Sequence, residues 1–292
     1  MSVENSEAND FCYLDQIQSA DYTLAVISTM HHLIAGRQGL KAVAETDIYR
    51  LRRGLCLPCA SSSCINKVKG FRLIGDTDGP IRVGDIYRTL LPFHGRSEFE
   101  ESAELLSKGW LFTTDQGDVY HHAIVAFSEA VGVPAMSVGN FRSVKDFEEL
   151  LAAGGAAAIS LDNRFVIEHT LGKDENLVIS DNGSWKILID GPGGLEHRKF
   201  ENGRHVVAVL GISFDDVLIL DSFRLPQMSS SRLIFKLPVK EVDKYLNYRT
   251  GGVSRGILFA KDDAMLSHWE HLSNDLVVPK SVVERVRKNL VI

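Results

Sequence analysis

His205 and Asp221 are the residues whose types and spacing first suggest chemistry. His205 begins the run His205-Val206-Val207-Ala208-Val209-Leu210-Gly211, and Asp221 closes the run Val217-Leu218-Ile219-Leu220. Both runs are apolar and rich in β-branched residues, and a short polar turn from Ser213 to Asp216 joins them. That pattern predicts an antiparallel hairpin whose strands are too apolar for a surface position. In such a hairpin the start of one strand and the end of the next lie side by side. A buried imidazole beside a carboxylate is held in one tautomer, and its charged form is stabilised. This is the base and its orienting partner, one half of a nucleophilic site. The competing reading is a histidine and an aspartate exposed at a sheet edge.

The other residues suited to chemistry are cysteines. Cys56, Cys59 and Cys64 follow a C-x2-C-x4-C spacing. Zinc takes four closely spaced soft or borderline ligands, so Cys12 or one of His31, His32 and His94 would have to complete a structural site. The alternative is three small, partly buried thiols in a loop with no metal. No basic neighbour is visible in the local sequence, which weighs against a reactive thiol there. No other cofactor is expected. The glycine-rich stretch Gly191-Pro192-Gly193-Gly194 lacks the lysine and the following helix of a phosphate-binding loop.

The elements that would position these residues can be read from the apolar pattern. Tyr22 to about Ala35 predicts a mostly apolar, buried helix capped by Ser19 or Asp21 and stopped by Gly36. Short helices are expected over 45–53, 84–91 and 97–108, and a further helix over 121–131. The adjacent His121 and His122 point to different helix faces, so they do not form a bidentate pair. A strand at 135–138, an amphipathic helix at 144–153 with a Gly154-Gly155 stop, and a buried strand at 156–161 follow. Asp181-Asn182-Gly183-Ser184 predicts a hairpin turn between two strands at 177–180 and 185–189. After the central hairpin come a strand at 233–237, a helix at 239–248 and a polar, peripheral helix at 278–291.

The chain of 292 residues is 45% hydrophobic and 24% charged, with a net charge of −6, an ordinary globular composition. The acidic balance weighs against a nucleic-acid partner. No apolar stretch reaches the ~20 residues that a membrane helix needs. Met1 to Asp10 is acidic and polar, unlike a signal peptide, and only four cysteines are present. The expectation is a cytoplasmic protein with free or metal-bound thiols rather than disulfides.

The order of a buried helix, a helical middle and then strands bearing His and Asp resembles the papain-like cysteine peptidases, most closely their C39-like branch. The resemblance runs from about Tyr13 to Phe223. It implies an α+β papain-like fold, with a buried N-terminal helix on a small antiparallel sheet. The expected layout is a disordered tail at 1–10, a domain at 11–250 with insertions at about 41–100 and 163–202, and a C-terminal extension at 251–292 packed on it. In that family a glutamine six residues before the nucleophilic cysteine donates to the oxyanion, and Gln16 takes this place. Tyr22 then stands at the nucleophile position, followed by Thr23-Leu24 instead of Gly-Pro. His205 and Asp221 match the family's histidine and aspartate.

A tyrosine at that position implies a pseudo-peptidase that binds a peptide, or a small acyl or amine ligand, in the former cleft. The insertions would then offer a surface to a protein partner. The alternative is an active peptidase, or an acyl or amide transferase, with a relocated cysteine nucleophile. In it His205 acts as base and Asp221 orients it.

Overall fold

The computed structural model describes residues 56–70, 81–90, 121–171, 177–179, 185–191, 194–200, 204–222, 234–246, 254–273 and 277–290. The expected helix at 22–35, with Gln16, Tyr22, Cys12, His31 and His32, lies outside these residues. So do His94, the helices expected at 45–53 and 97–108, and the tail at 1–10.

A six-stranded antiparallel sheet organises the described chain. Its strands are β1 (Ala135–Gly139), β2 (Ala156–Asp162), β6 (Arg204–Ser213), β7 (Asp216–Leu220), β8 (Ile234–Pro238) and β9 (Arg255–Phe259), in the spatial order β1-β9-β2-β6-β7-β8. A separate three-stranded sheet is formed by β3 (Leu177–Ile179), β4 (Trp185–Gly191) and β5 (Gly194–Phe200). Its β3–β4 pair has the register Leu177↔Ile187 to Ile179↔Trp185.

Both faces of the large sheet are covered, which explains why its central strands are apolar throughout rather than alternating. Ala156, Ala158, Val206, Ala208, Leu210, Ile257 and Phe259 belong to one core, and Ala157, Ile159, Val207, Val209 and Leu258 to the other. The first core is closed by α1 (Cys56–Lys69), α2 (Val83–Leu90), α3 (His121–Ala130) and α7 (Lys280–Lys288). The second is closed by a 3₁₀ turn (Val144–Phe147) running into α4 (Glu148–Ala152), with α5 (Val239–Asp243), α6 (Asp263–Leu266) and a 3₁₀ turn (Ser267–Leu272).

Helix α1 replaces the loop expected around Cys56, Cys59 and Cys64. Its ten residues from Leu57 to Asn66 are all buried. The sequence Cys59-Ala60-Ser61-Ser62-Ser63-Cys64 looks loop-like by composition, but its small side chains let a helix sit close to others on every side. Pro58 lies in the first turn, where its missing N–H costs no helical bond. Alanines 156, 158 and 208 are the sheet side of that approach. Asn66 ties the helix to the next segment: its Nδ2 donates to the Ile81 carbonyl at 2.8 Å and its Oδ1 accepts from the Ile81 N–H at 2.9 Å. A span read as an insertion therefore holds a core helix.

The C-terminal region also does more than lie on the surface. Strand β9 pairs with β1 on one side and β2 on the other. Gly256 permits this tight fit, because a Cβ there would come within 2.8 Å of the Ala158 carbonyl oxygen. The helix expected to be peripheral, α7, buries Val282, Val283 and Val286 and packs on α3.

Candidate functional site

The direction of α1 follows from its far end. Lys67 Nζ, in its last turn, donates to the Gly155 carbonyl at 2.5 Å, just before β2 begins. Helix α1 packs along β2 and β6, so its first residue, Cys56, points toward the opposite end of β2. That end carries Leu161, whose partner across the ladder is His205. On the other side of β6 the register pairs Ala208 with Leu220, and Asp221 follows directly. A helix start, a strand start and a strand end thus meet at one end of the sheet. Beyond β2 the chain is braced there as well: the Asp162 N–H donates to the Tyr245 carbonyl at 2.9 Å, and Tyr245 Oη donates to Glu168 Oε2 at 2.5 Å.

His205 Nε2 lies 2.5 Å from Asp221 Oδ1. Both groups are buried, Asp221 completely. A carboxylate at that distance accepts a hydrogen bond from Nε2–H, so Nδ1 is the nitrogen left to serve another group. The Cys56 side chain is near enough to the imidazole to favour its charged form. Burial disfavours the imidazolium. The charge and hydrogen bond of Asp221, with the nearby Cys56, outweigh it and hold His205 well above the ordinary histidine range. Cysteines act as nucleophiles where a helix N-terminus and an imidazole converge on the sulfur.

The three clustered cysteines have separate fates. All are free thiols. Cys59 and Cys64 are fully buried, and burial pushes the Cys64 thiol far up. On a helix Cys64 is turned roughly 140° from Cys59. Among the described residues no three His, Cys, Asp or Glu side chains gather as a metal site would require.

Local sequence reading weighed against a reactive thiol at Cys56 because its basic neighbour arrives from a distant strand. The available signal was the proline two residues after a cysteine, followed by a run of small residues. That combination suits the first turn and the buried body of a helix. Gln16 and Tyr22, read as the oxyanion donor and the residue at the nucleophile position, lie outside the described residues.

No protein-family model matches the chain, and no curated protein matches it. Among solved structures, a Bacillus anthracis chain classed as a C39-like peptidase aligns with 61% of this chain and 88% of its own length, at 14% identity and a TM-score of 0.29. The chain itself is a mixed protein of helices and antiparallel sheets. Among the described residues no helix is long and apolar enough to cross a membrane.

Proposed function

We propose that the chain is a papain-like cysteine hydrolase or acyl transferase with Cys56 as nucleophile, His205 as acid and base, and Asp221 orienting the ring. The observation that carries this reading is the chain of interactions from half-buried Cys56 to buried His205 and Asp221. It favours an active site with a relocated nucleophile over a pseudo-peptidase that keeps the cleft for binding alone. The pseudo-peptidase expectation rests on Tyr22 being the residue opposite His205, and a cysteine supplies that contact from α1.

In this mechanism the Cys56 sulfur attacks an acyl carbonyl while His205 holds the proton as imidazolium. The α1 end at Cys56 is the positive end of the helix dipole, and first-turn N–H groups at such an end favour negative charge. They are suited to the oxyanion that forms on the carbonyl. His205 then gives its proton to the departing amine or alkoxide. Water or an acceptor amine attacks the thioester, with His205 taking the proton back. Asp221 keeps Nε2 occupied and Nδ1 directed at the sulfur throughout. Peptide and small acyl or amide substrates fit this chemistry equally, and the spans at about 41–100 and 163–202 would offer a surface to a protein partner. Localisation in the cytoplasm suits a free thiol nucleophile.

The test is acylation by p-nitrophenyl acetate, with peptide mapping to find the acetylated residue. The expected result is an acetyl group on Cys56, which disappears in Cys56→Ala and slows sharply in His205→Ala. Acetylation spread evenly over all four cysteines, unchanged in His205→Ala, would return the protein to the binding-only reading.

A further inference from the structure

The end of the large sheet away from Cys56 brings together two amines that the proposed catalysis does not use. Lys67, in the last turn of α1, donates from Nζ to the Gly155 carbonyl at 2.5 Å. Lys261 reaches the same turn from another element. Only Ala260 separates it from β9, and the Ala260 N–H is tied to the Pro134 carbonyl at 3.0 Å. Gly154 takes a φ of +88°, and a Cβ there would meet Lys261 Nζ at 2.7 Å and Cε at 2.9 Å. The end of the Lys261 side chain therefore lies against Gly154, while the Lys67 amine is bonded to the next residue.

The surroundings of Lys67 favour its neutral form. The side chain is half-buried. Burial lowers its proton affinity most, Cys64 opposes this, and Lys261 lowers it further, which leaves the amine at about 8 instead of 10.5. Cys64 opposes only as a thiolate, and its own burial keeps it a thiol. No carboxylate is among the groups that act on Lys67. Near pH 7 about a tenth of Lys67 is thus an uncharged amine with an available electron pair. Lys69, two residues on, makes a similar bond to the Val131 carbonyl at 2.9 Å, but it is exposed.

A half-buried neutral amine suits a small electrophile. A product that keeps one N–H can still donate to Gly155. An anionic product gains most, because it turns the repulsion from Lys261 into attraction. Carbon dioxide meets all three conditions. We propose that Lys67 is a carbon dioxide-binding site, at which the amine forms a carbamate paired with the Lys261 ammonium. The nitrogen electron pair forms the N–C bond, one C=O π pair moves onto oxygen, and a proton leaves the nitrogen for water. Nothing is oxidised or reduced. The carbamate would join the end of α1 to the segment after β9. The inference stands independently of Cys56 as a nucleophile.

The probe is carbon dioxide itself, isotopically labelled and supplied with bicarbonate at neutral pH. Triethyloxonium ion then converts any carbamate into a stable ethyl ester, which peptide mass mapping locates. The full chain is compared with Lys67→Arg and Lys261→Gln. Lys261 is exposed, so its substitution leaves the packing of α1 alone. The expected result is labelled ester on Lys67 and not on Lys69, rising with carbon dioxide and lost when the sample is degassed before trapping. It should vanish in Lys67→Arg, which keeps a donor for Gly155. In Lys261→Gln it should fall roughly threefold or more, since the counter-ion and part of the lowered proton affinity go together. No label on Lys67, or equal label on Lys67 and Lys69, overturns the site. Occupancy that is the same in Lys261→Gln overturns the ion pair on which it is built.

Discussion

At the scale of single residues, His205 is the group whose charge state carries the most consequence. Its ordinary range lies near 6.5, and Asp221 and Cys56 raise it to about 10 against the opposing effect of burial. A raised folded-state value means that the native protein holds a proton the unfolded chain releases. Its stabilising contribution is therefore complete below about pH 6.5 and is lost as pH rises toward about 10. Denaturant unfolding of the wild type and His205→Gln over that window is expected to show a gap that narrows with rising pH. A gap of constant size would mean that the imidazole is not protonated in the native state. Asp221→Asn tests orientation separately from charge. It retains a side chain of the same shape but favours the wrong ring tautomer, so acylation at Cys56 is expected to fall by about 100-fold or more. Much of this pair was legible in the sequence, because a hairpin written in apolar residues sets its two ends together. The cysteine was not, because its partner is fixed by helix–sheet packing that no local spacing records.

At the scale of elements, α1 decides whether the site exists, since Cys56 is placed only by where that helix lies. The hydroxyls of Ser61 and Ser62 are buried within it and have no hydrogen-bond partner among the described residues. Each forgoes water without compensation, so Ser61→Ala and Ser62→Ala are expected to raise stability by about 1 kcal/mol each, read as a higher denaturant midpoint with an unchanged slope. A lower midpoint would mean that the hydroxyls are satisfied in solution. Ala208→Leu makes the opposite test. Ala208 is fully buried in the core under α1, and added methylenes there are expected to cost roughly 1–3 kcal/mol. The helix can answer only by moving off the sheet, so the alkylation rate of Cys56 should fall with stability. Strands and helices with strong periodicity were readable from sequence alone, including β2, α3 and the hairpin of β6 and β7. Helix α1 was not, because it is buried all round and has no amphipathic period, and its serines and cysteines mimic a loop.

At the scale of the whole molecule, the sequence order conceals how the large sheet is assembled. Strand β9 lies between β1 and β2 although more than ninety residues separate it from either. Antiparallel pairing over such a separation leaves no local signature, so 251–292 looks like an appendage when read along the chain. The structure makes two truncations differ in kind. Ending the chain after residue 276 removes α7 and exposes the face of α3 that Val282, Val283 and Val286 cover. At about 1.5–3 kcal/mol per buried side chain, that loss is comparable to the whole stability of an ordinary domain, so the product should be marginal, with a broad, early unfolding transition. Ending it after residue 250 also removes β9, leaving β1 without its partner and one edge of β2 open. This product should show no cooperative transition in circular dichroism and should bind a dye for exposed apolar surface. Cys56 should then alkylate no faster than Cys59 or Cys64, because the end of the sheet that gathers His205 and Asp221 under α1 is held in place by β9. A 250-residue product that unfolds at the full-length midpoint would show that β9 is dispensable, and that the site depends only on the packing of α1 against β2 and β6.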